Sequence, residues 1–238
     1  MRAMLLAAGL GTRLKPFTDK HPKALVIVNG KSLLQRNIEF LYSFGITEII
    51  VNVHHFADQL IEVIQENKGF GSDVKVSDEK GEVLETGGGL KKASWFLDSS
   101  EPFVLMNVDI LTDVDIRKMI DFHIAEDNLA TLAVMTRKSS RYFLFDERGF
   151  LCGWRNSKTG DQKISKEAKK YIEKAFSGIH VISPKIFPLI NKEGKFSMVD
   201  VYLELAKAHC IAAFDHSDSK FIDVGKMERI EMAEGLFK

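Results

Sequence analysis

Cysteine is scarce in this chain. Cys152 and Cys210 are the only two, too few for a disulfide framework and without the spacing of a metal cluster. No charge of one sign dominates either: Lys plus Arg and Asp plus Glu each number 33. The global basic excess of nucleic-acid or anionic-membrane binders is therefore missing, and any phosphate ligand has to be met by local charges. No apolar run approaches the roughly 18 residues of a membrane span. Met1 runs almost directly into an apolar strand, which leaves no room for a signal peptide with its own apolar region and cleavage site, so a cytoplasmic location is expected. No internal repeat or low-complexity tract interrupts the sequence. The histidines, including the pair His54 and His55, lack ligand spacing with cysteines or carboxylates and read as structural or exposed.

What the chain does have is an alternation of short apolar runs with longer segments of helical period, over 238 residues with 45% hydrophobic content. That pattern predicts an α/β fold, a single Rossmann-like domain over 1–238 with a mostly parallel sheet and helices on both faces. Strands are predicted at 2–8, 47–53, 73–77, 102–107, 130–136, 141–146, 174–182 and 210–215. Helices are predicted at 32–44, 57–67, 88–97, 114–126, 198–208 and 226–236, the first closed by Gly45. The polar, lysine-rich segment SKTGDQKISKEAKK at 157–170 has no apolar period and reads as a solvated loop or flap.

The first strand stops at Gly9 and delivers the run GLGTRLKP to a sheet edge, where ligands bind in open α/β folds. This is not a dinucleotide fingerprint, because Leu14 stands where the third glycine of G-x-G-x-x-G belongs, and the chain contains no P-loop. What remains is a set of backbone N–H groups around Gly9, Leu10, Gly11 and Thr12 with Arg13, followed by Lys23 after Pro16 and Pro22. Two cations and a nest of donors suit a triphosphate. On these residues alone a surface turn with two unrelated basic side chains stays open as the other reading.

The run GLGTRLKPFTDKHPKAL resembles the signature of the sugar-1-phosphate nucleotidyltransferases, G-x-G-T-R-[LM]-x-P-x-T followed by P-K-x-L. The match continues through VNGKSLL, with Ser32 in place of a proline, ETGGG at 85–89, NVD at 107–109, FSGIHVIS at 176–183 and FIDVGKMERI at 221–230. Within that family the short chain, ETGGG and FSGI are most similar to the N-acetylmuramate-1-phosphate uridylyltransferases of cell-wall recycling. The resemblance implies the nucleotide-diphospho-sugar transferase fold, without the hexapeptide-repeat domain of some relatives. It also implies transfer of a nucleoside monophosphate from a nucleoside triphosphate to a sugar 1-phosphate with release of pyrophosphate. UTP with N-acetylmuramate 1-phosphate is the first expectation. A phosphocholine cytidylyltransferase, a hexose-1-phosphate guanylyl- or thymidylyltransferase and a non-catalytic nucleotide-sugar binder are the alternatives.

By the same resemblance Arg13 and Lys23 are the expected catalytic cations, and Ala7, Ala8, Gly9, Leu10, Gly11 and Thr12 join them around the nucleotide with Glu85, Thr86, Gly87 and Gly88. Asn107 and Gly178 are the expected sugar contacts, and Asp109 and Asp223 the expected Mg²⁺ pair. The partners are the two substrates, with no nucleic acid and no membrane, in a monomer or small homo-oligomer. The residues agree in kind: Mg²⁺ takes one or two carboxylates and completes its shell with phosphate and water. The three glycines of 87–89 read as a close approach to ligand ahead of a helix near Leu90, or as a plain helix-entry turn. Asp113 and Asp115 read as helix caps. His180 reads as a packed strand residue. The grip on the sugar phosphate is left among Arg155, Lys163 and Lys174. Trp154, Tyr142 and Phe143 could wall a bulky acceptor, although aromatics at strand positions belong more often to the core.

Overall fold

A computed structural model describes residues 1–79 and 81–237. Four parallel strands form its centre: β1 (Arg2–Leu6), β2 (Glu48–Val53), β3 (Asp73–Asp78) and β4 (Phe103–Asn107), in the order β3-β2-β1-β4. The chain passes from β1 through α1 (Leu33–Ser43) to β2, then through α2 (Ala57–Glu66) to β3, before α3 (Glu85–Lys92) leads back towards β4. The order reverses at β1, so a crevice opens between the carboxyl ends of β1 and β4, where Leu6 lies beside Asn107.

The antiparallel strand Ile172–Ile182 extends this sheet, its second half paired with β4 and its first half with Arg141–Phe145. It also pairs with Ala130–Met135, but the register slips between Phe176 and His180. Arg141–Phe145, Leu151–Asn156 and Gln162–Ile164 add an antiparallel flank, and Ile211–Asp215 pairs in parallel with Ala130–Met135. The α/β class and the parallel heart of the sheet are as predicted. The segment 157–170 is not wholly loop, since Gln162–Ile164 is a strand.

Period-two alternation feeds two cores. Ala3, Leu5, Val104 and Met106 face the helices α1, α2 and Ile116–Ala125, while Met4 and Leu105 face Leu90, Phe96, Met198 and Tyr202. α1 begins where the Ser32 side chain accepts a bond from Gln35 N–H (3.1 Å) and stops at Gly45, whose φ of 79° is left-handed. A third cluster joins Leu14, Val26 and Val28 to Leu111, Ile222, Val224 and Ala233. Leu14 is fully buried there, and burying such a side chain contributes about 1.5–3 kcal/mol. That cluster docks the opening loop onto the segment that carries Asp223.

Candidate active site

Asp109 lies two residues past the end of β4, and the next residues, Ile110–Thr112, pair in antiparallel with Phe221–Asp223, setting Asp223 opposite Ile110. Val224 N–H closes this ribbon onto Asp109 O (2.8 Å). Asp113 belongs to the same clamp: its carboxylate accepts from Lys220 N–H (2.7 Å), so it ties down the second strand instead of capping a helix. Asp115 is the cap, accepting from Lys118 N–H (3.1 Å). The two distant aspartates thus come close enough for one carboxyl to act on the other. The Asp223 carboxyl is pushed up from its ordinary value, by the surrounding protein first and by the Asp109 carboxylate second, with Lys23 and Arg13 acting in the opposite direction.

Lys23 Nζ donates to Asp109 Oδ2, and both side chains are largely shielded. The opening loop holds them in place. Gly11 sits at φ 61°, and a Cβ there would stand 2.9 Å from Thr18 Cγ2 and 3.0 Å from Lys23 Cβ, so glycine is required for both conformation and space. Thr18 Oγ1 donates to Gly11 O (3.0 Å) and Leu14 N–H closes the turn onto the same oxygen (2.8 Å). Gly9, Leu10, Thr12 and Arg13 are exposed. Arg13 leans towards the ribbon: a Cβ on Gly225 would lie 2.9 Å from Arg13 Nη2 and 2.7 Å from Asp223 Oδ1.

A cleft of about 380 Å³ opens beside this cluster, lined by Ala7, Ala8, Gly9, Lys23, Asn107 and Asp109 and also by Glu85 and Thr86. Gly178 lies next to Asn107, at φ 74° and in the register slip, where a Cβ would stand 2.7 Å from Asn107 Nδ2. Arg13 and Asp223 line a separate cavity of about 320 Å³, while Asp109 lines the cleft.

Several expectations change. Gly87 and Gly88 are buried inside α3, and both N–H groups point to Phe196 O (2.9 and 3.3 Å) instead of into the cleft. The three glycines are needed because protein crowds every side of that helix. Added Cβ atoms would stand 2.4 Å from Phe196 Cδ2, 2.1 Å from Gly194 O and 2.7 Å from Glu79 Oε1, in the order 87, 88, 89. The three candidates for the sugar phosphate are all paired: Arg155 with Glu173, Lys163 with Asp200, and Lys174 with Asp215 and Thr136. Phe143 is core, Trp154 packs against it, and Tyr142 OH accepts from Ser139 N–H (2.8 Å). His180, by contrast, is the packed strand residue expected, bonded to Tyr202 OH (2.7 Å) and held at a pKa of about 3 by burial.

Sequence reasoning missed Asn52 and Glu79. Asn52 Oδ1 accepts from Ala7 N–H (2.7 Å), and its amide donates to Glu79 Oε1 (2.8 Å). Glu79, 1% exposed, also accepts from Leu84 N–H (3.2 Å). Together they lock the end of β1 to the wall that carries Glu85. A carboxylate one residue past a strand was the available signal, but nothing in the sequence separates Glu79 from its exposed neighbour Asp78.

Two neighbouring carboxylates, one raised by burial and by the other, with adjoining phosphate-sized space suit one hard divalent cation that takes its remaining ligands from phosphate and water. Among the described residues no group of three or more His, Cys, Asp or Glu is placed to hold a metal, so an all-protein cage is not on offer. No helix among them is long and apolar enough to cross a membrane.

A family model described as nucleotidyl transferase matches residues 2–145. An N-acetylmuramate alpha-1-phosphate uridylyltransferase of Caulobacter vibrioides is 33% identical over 216 residues, covering 86% of this chain and 84% of its own length. A protein of the same description from Neisseria meningitidis is 28% identical over 236 residues, covering 99% and 98%. Among solved structures, HddC from Yersinia pseudotuberculosis complexed with GMP-PN superposes with a TM-score of 0.79 at 26% identity, covering 100% and 99% of the two chains.

Proposed function

The chain belongs to the nucleotidyl transferase family and is a sugar-1-phosphate nucleotidyltransferase, and on that premise we propose that it transfers uridine monophosphate from UTP to N-acetylmuramate 1-phosphate. The observation that carries the choice of substrate is the pair of uridylyltransferase relatives, each matched over more than four-fifths of both chains. The arrangement of Arg13, Lys23, Asp109 and Asp223 at one crevice supports the chemistry.

A sugar-phosphate oxygen forms a bond to the α-phosphorus as the bond from that phosphorus to the bridging oxygen breaks, and pyrophosphate leaves with that oxygen and its electron pair. Such chemistry needs positioning and charge neutralisation more than covalent catalysis. Arg13 grips the polyphosphate through its planar fork, and the exposed backbone of Gly9–Thr12 lies against it. Lys23 is a point charge at the cleft floor, where it meets negative charge on the α-phosphoryl group. Its partnership with Asp109 fixes where that charge stands. Glu85 and Thr86 border the base and ribose across the cleft. The amide of Asn107, given room by Gly178, meets the sugar. A Mg²⁺ ion held by Asp109 and Asp223 would supply neutralising charge to the phosphates.

The test is pyrophosphate release over a matrix of nucleoside triphosphates and sugar 1-phosphates. UTP with N-acetylmuramate 1-phosphate is expected to give the highest kcat/KM. The fold shared with a GMP-PN complex makes a guanylyltransferase the second reading, and preference for GTP with a hexose 1-phosphate would replace the first with it.

A further inference from the structure

The second cavity, about 320 Å³, carries five cationic side chains, Arg13, Arg137, Lys138, Lys226 and Arg229, against the single carboxylate of Asp223. Arg13, Arg137, Lys138 and Arg229 form no ion pair among the described residues, and Lys226 meets Glu228 loosely at the rim (3.4 Å). Five like charges gathered against one carboxylate repel, so this cluster costs stability unless an anion enters it.

Arg137 shows most clearly that the cluster is aimed. Its Nη2 donates to Phe176 O (2.8 Å) and its guanidinium lies over the Phe221 ring, 4.8 Å from the centroid. These two contacts fix the plane of the fork. Its Nε is buried and has no partner among the described residues, although a buried donor left unbonded costs about 1–3 kcal/mol. Lys226 and Arg229 flank the start of the helix Glu228–Leu236. Cations are disfavoured at that end, whose dipole itself attracts anions. Gly225 keeps the wall thin between Arg13 and Asp223.

The amount of charge selects the ligand. A lone carboxylate or the phosphate of a sugar is over-served by five cations, whereas a diphosphate carries about three negative charges at neutral pH, two phosphoryl groups of roughly one and a half each. Position agrees: the cleft is lined by Asp109 and the cavity by Asp223, whose carboxyls influence one another, and the cavity shares Arg13 with the opening loop.

We propose that Arg137, Lys138 and Arg229 are positioning residues for the diphosphate end of the nucleotide, and that the cavity they share with Arg13 and Lys226 holds pyrophosphate as it leaves. This rests on the nucleotidyl transfer proposed above but on neither its base nor its sugar. The site governs entry of the triphosphate and exit of the product, and leaves the acceptor alone.

The experiment is a calorimetric titration of the whole protein with inorganic pyrophosphate at fixed Mg²⁺, repeated with UDP-sugar, which lacks the leaving diphosphate. Arg137→Ala and Arg229→Ala are each expected to weaken pyrophosphate about tenfold, the loss of one charge-assisted bond, with UDP-sugar affinity unchanged. Arg137→Lys, which keeps the charge and loses the fork, is expected to fall between and guards against a folding defect in the alanine variant. In kinetics the same variants raise KM for the triphosphate and for pyrophosphate in the reverse reaction, and spare KM for the sugar 1-phosphate. Unchanged pyrophosphate affinity overturns the proposal, and so does a loss confined to the sugar 1-phosphate. A protein that loses pyrophosphate in these variants yet shows no turnover with UTP and N-acetylmuramate 1-phosphate keeps this site and loses the substrate reading. Normal turnover with pyrophosphate affinity unmoved by the substitutions does the reverse.

Discussion

Lys23 stands where two demands meet. It pairs with Asp109 and lines the cleft, so on the proposed mechanism its removal strips charge from both the carboxylate pair and the α-phosphoryl group. Lys23→Ala and Arg13→Ala are each expected to lower turnover by about two to three decades, the usual cost of a preorganised charged donor, with the fold intact. Near-normal turnover in either variant removes that residue from the mechanism. Gly178 makes a different demand. Alanine there would be strained at φ 74° and would press on Asn107 Nδ2 from 2.7 Å. Gly178→Ala is therefore expected to raise KM for the sugar 1-phosphate about tenfold, a loss of the order of one hydrogen bond, while KM for the triphosphate holds. Equal changes in both constants would mean that Asn107 does not discriminate between the substrates. At this scale the sequence was informative where a motif named the atom, as for Arg13, Lys23 and the aspartates. It was silent on Asn52, Glu79 and Arg137, whose roles depend on partners brought near only by the fold.

Among the elements, α3 is the clearest case of tertiary packing deciding local structure. Three consecutive glycines have poor helix propensity, and a loop is the natural reading. The helix forms because Phe196, Gly194 and Glu79 each occupy the space of one absent side chain. Gly88→Ala is expected to lower stability by about 2–3 kcal/mol, since its Cβ meets a backbone oxygen that cannot swing away. A denaturant midpoint unchanged from the parent would contradict that packing. α1 and α2 were legible almost to the residue, because Ser32, Gly45 and the apolar period all act within the helix itself. Leu151–Asn156 was not, with Gly153 inside it and a register shift beside it. Nor was the role of Asp113, which caps nothing and clamps a strand far along the chain.

Over the whole molecule, burial sets the response to acid. His123, His180 and His216 are all depressed by desolvation, to about 4, 3 and 4, against about 6.5 when unfolded. Folded values below unfolded ones mean that stability is fully present above about 6.5 and is lost as pH falls towards 4. The slope approaches about 1.4 kcal/mol per pH unit for each histidine. Denaturant midpoints at pH 7 and pH 5 check this, and a flat profile would show that these rings are not buried neutral. Parallel strands and helices were readable from the alternation of the sequence. The ribbon that joins Ile110–Thr112 to Phe221–Asp223 was not, because two three-residue strands carry no period of their own. That ribbon brings Asp223 to Asp109, the pair proposed to hold the metal, so the most direct measurement is Mg²⁺-dependent turnover of Asp109→Asn and Asp223→Asn beside the parent protein, with melting temperature and a chelator as controls. The arrangement predicts a folded protein in both variants, turnover lowered by about two decades or more, and no turnover by the parent in chelator. An Asp223→Asn enzyme with parental rate and metal dependence, or a parent protein that turns over in chelator, would contradict it.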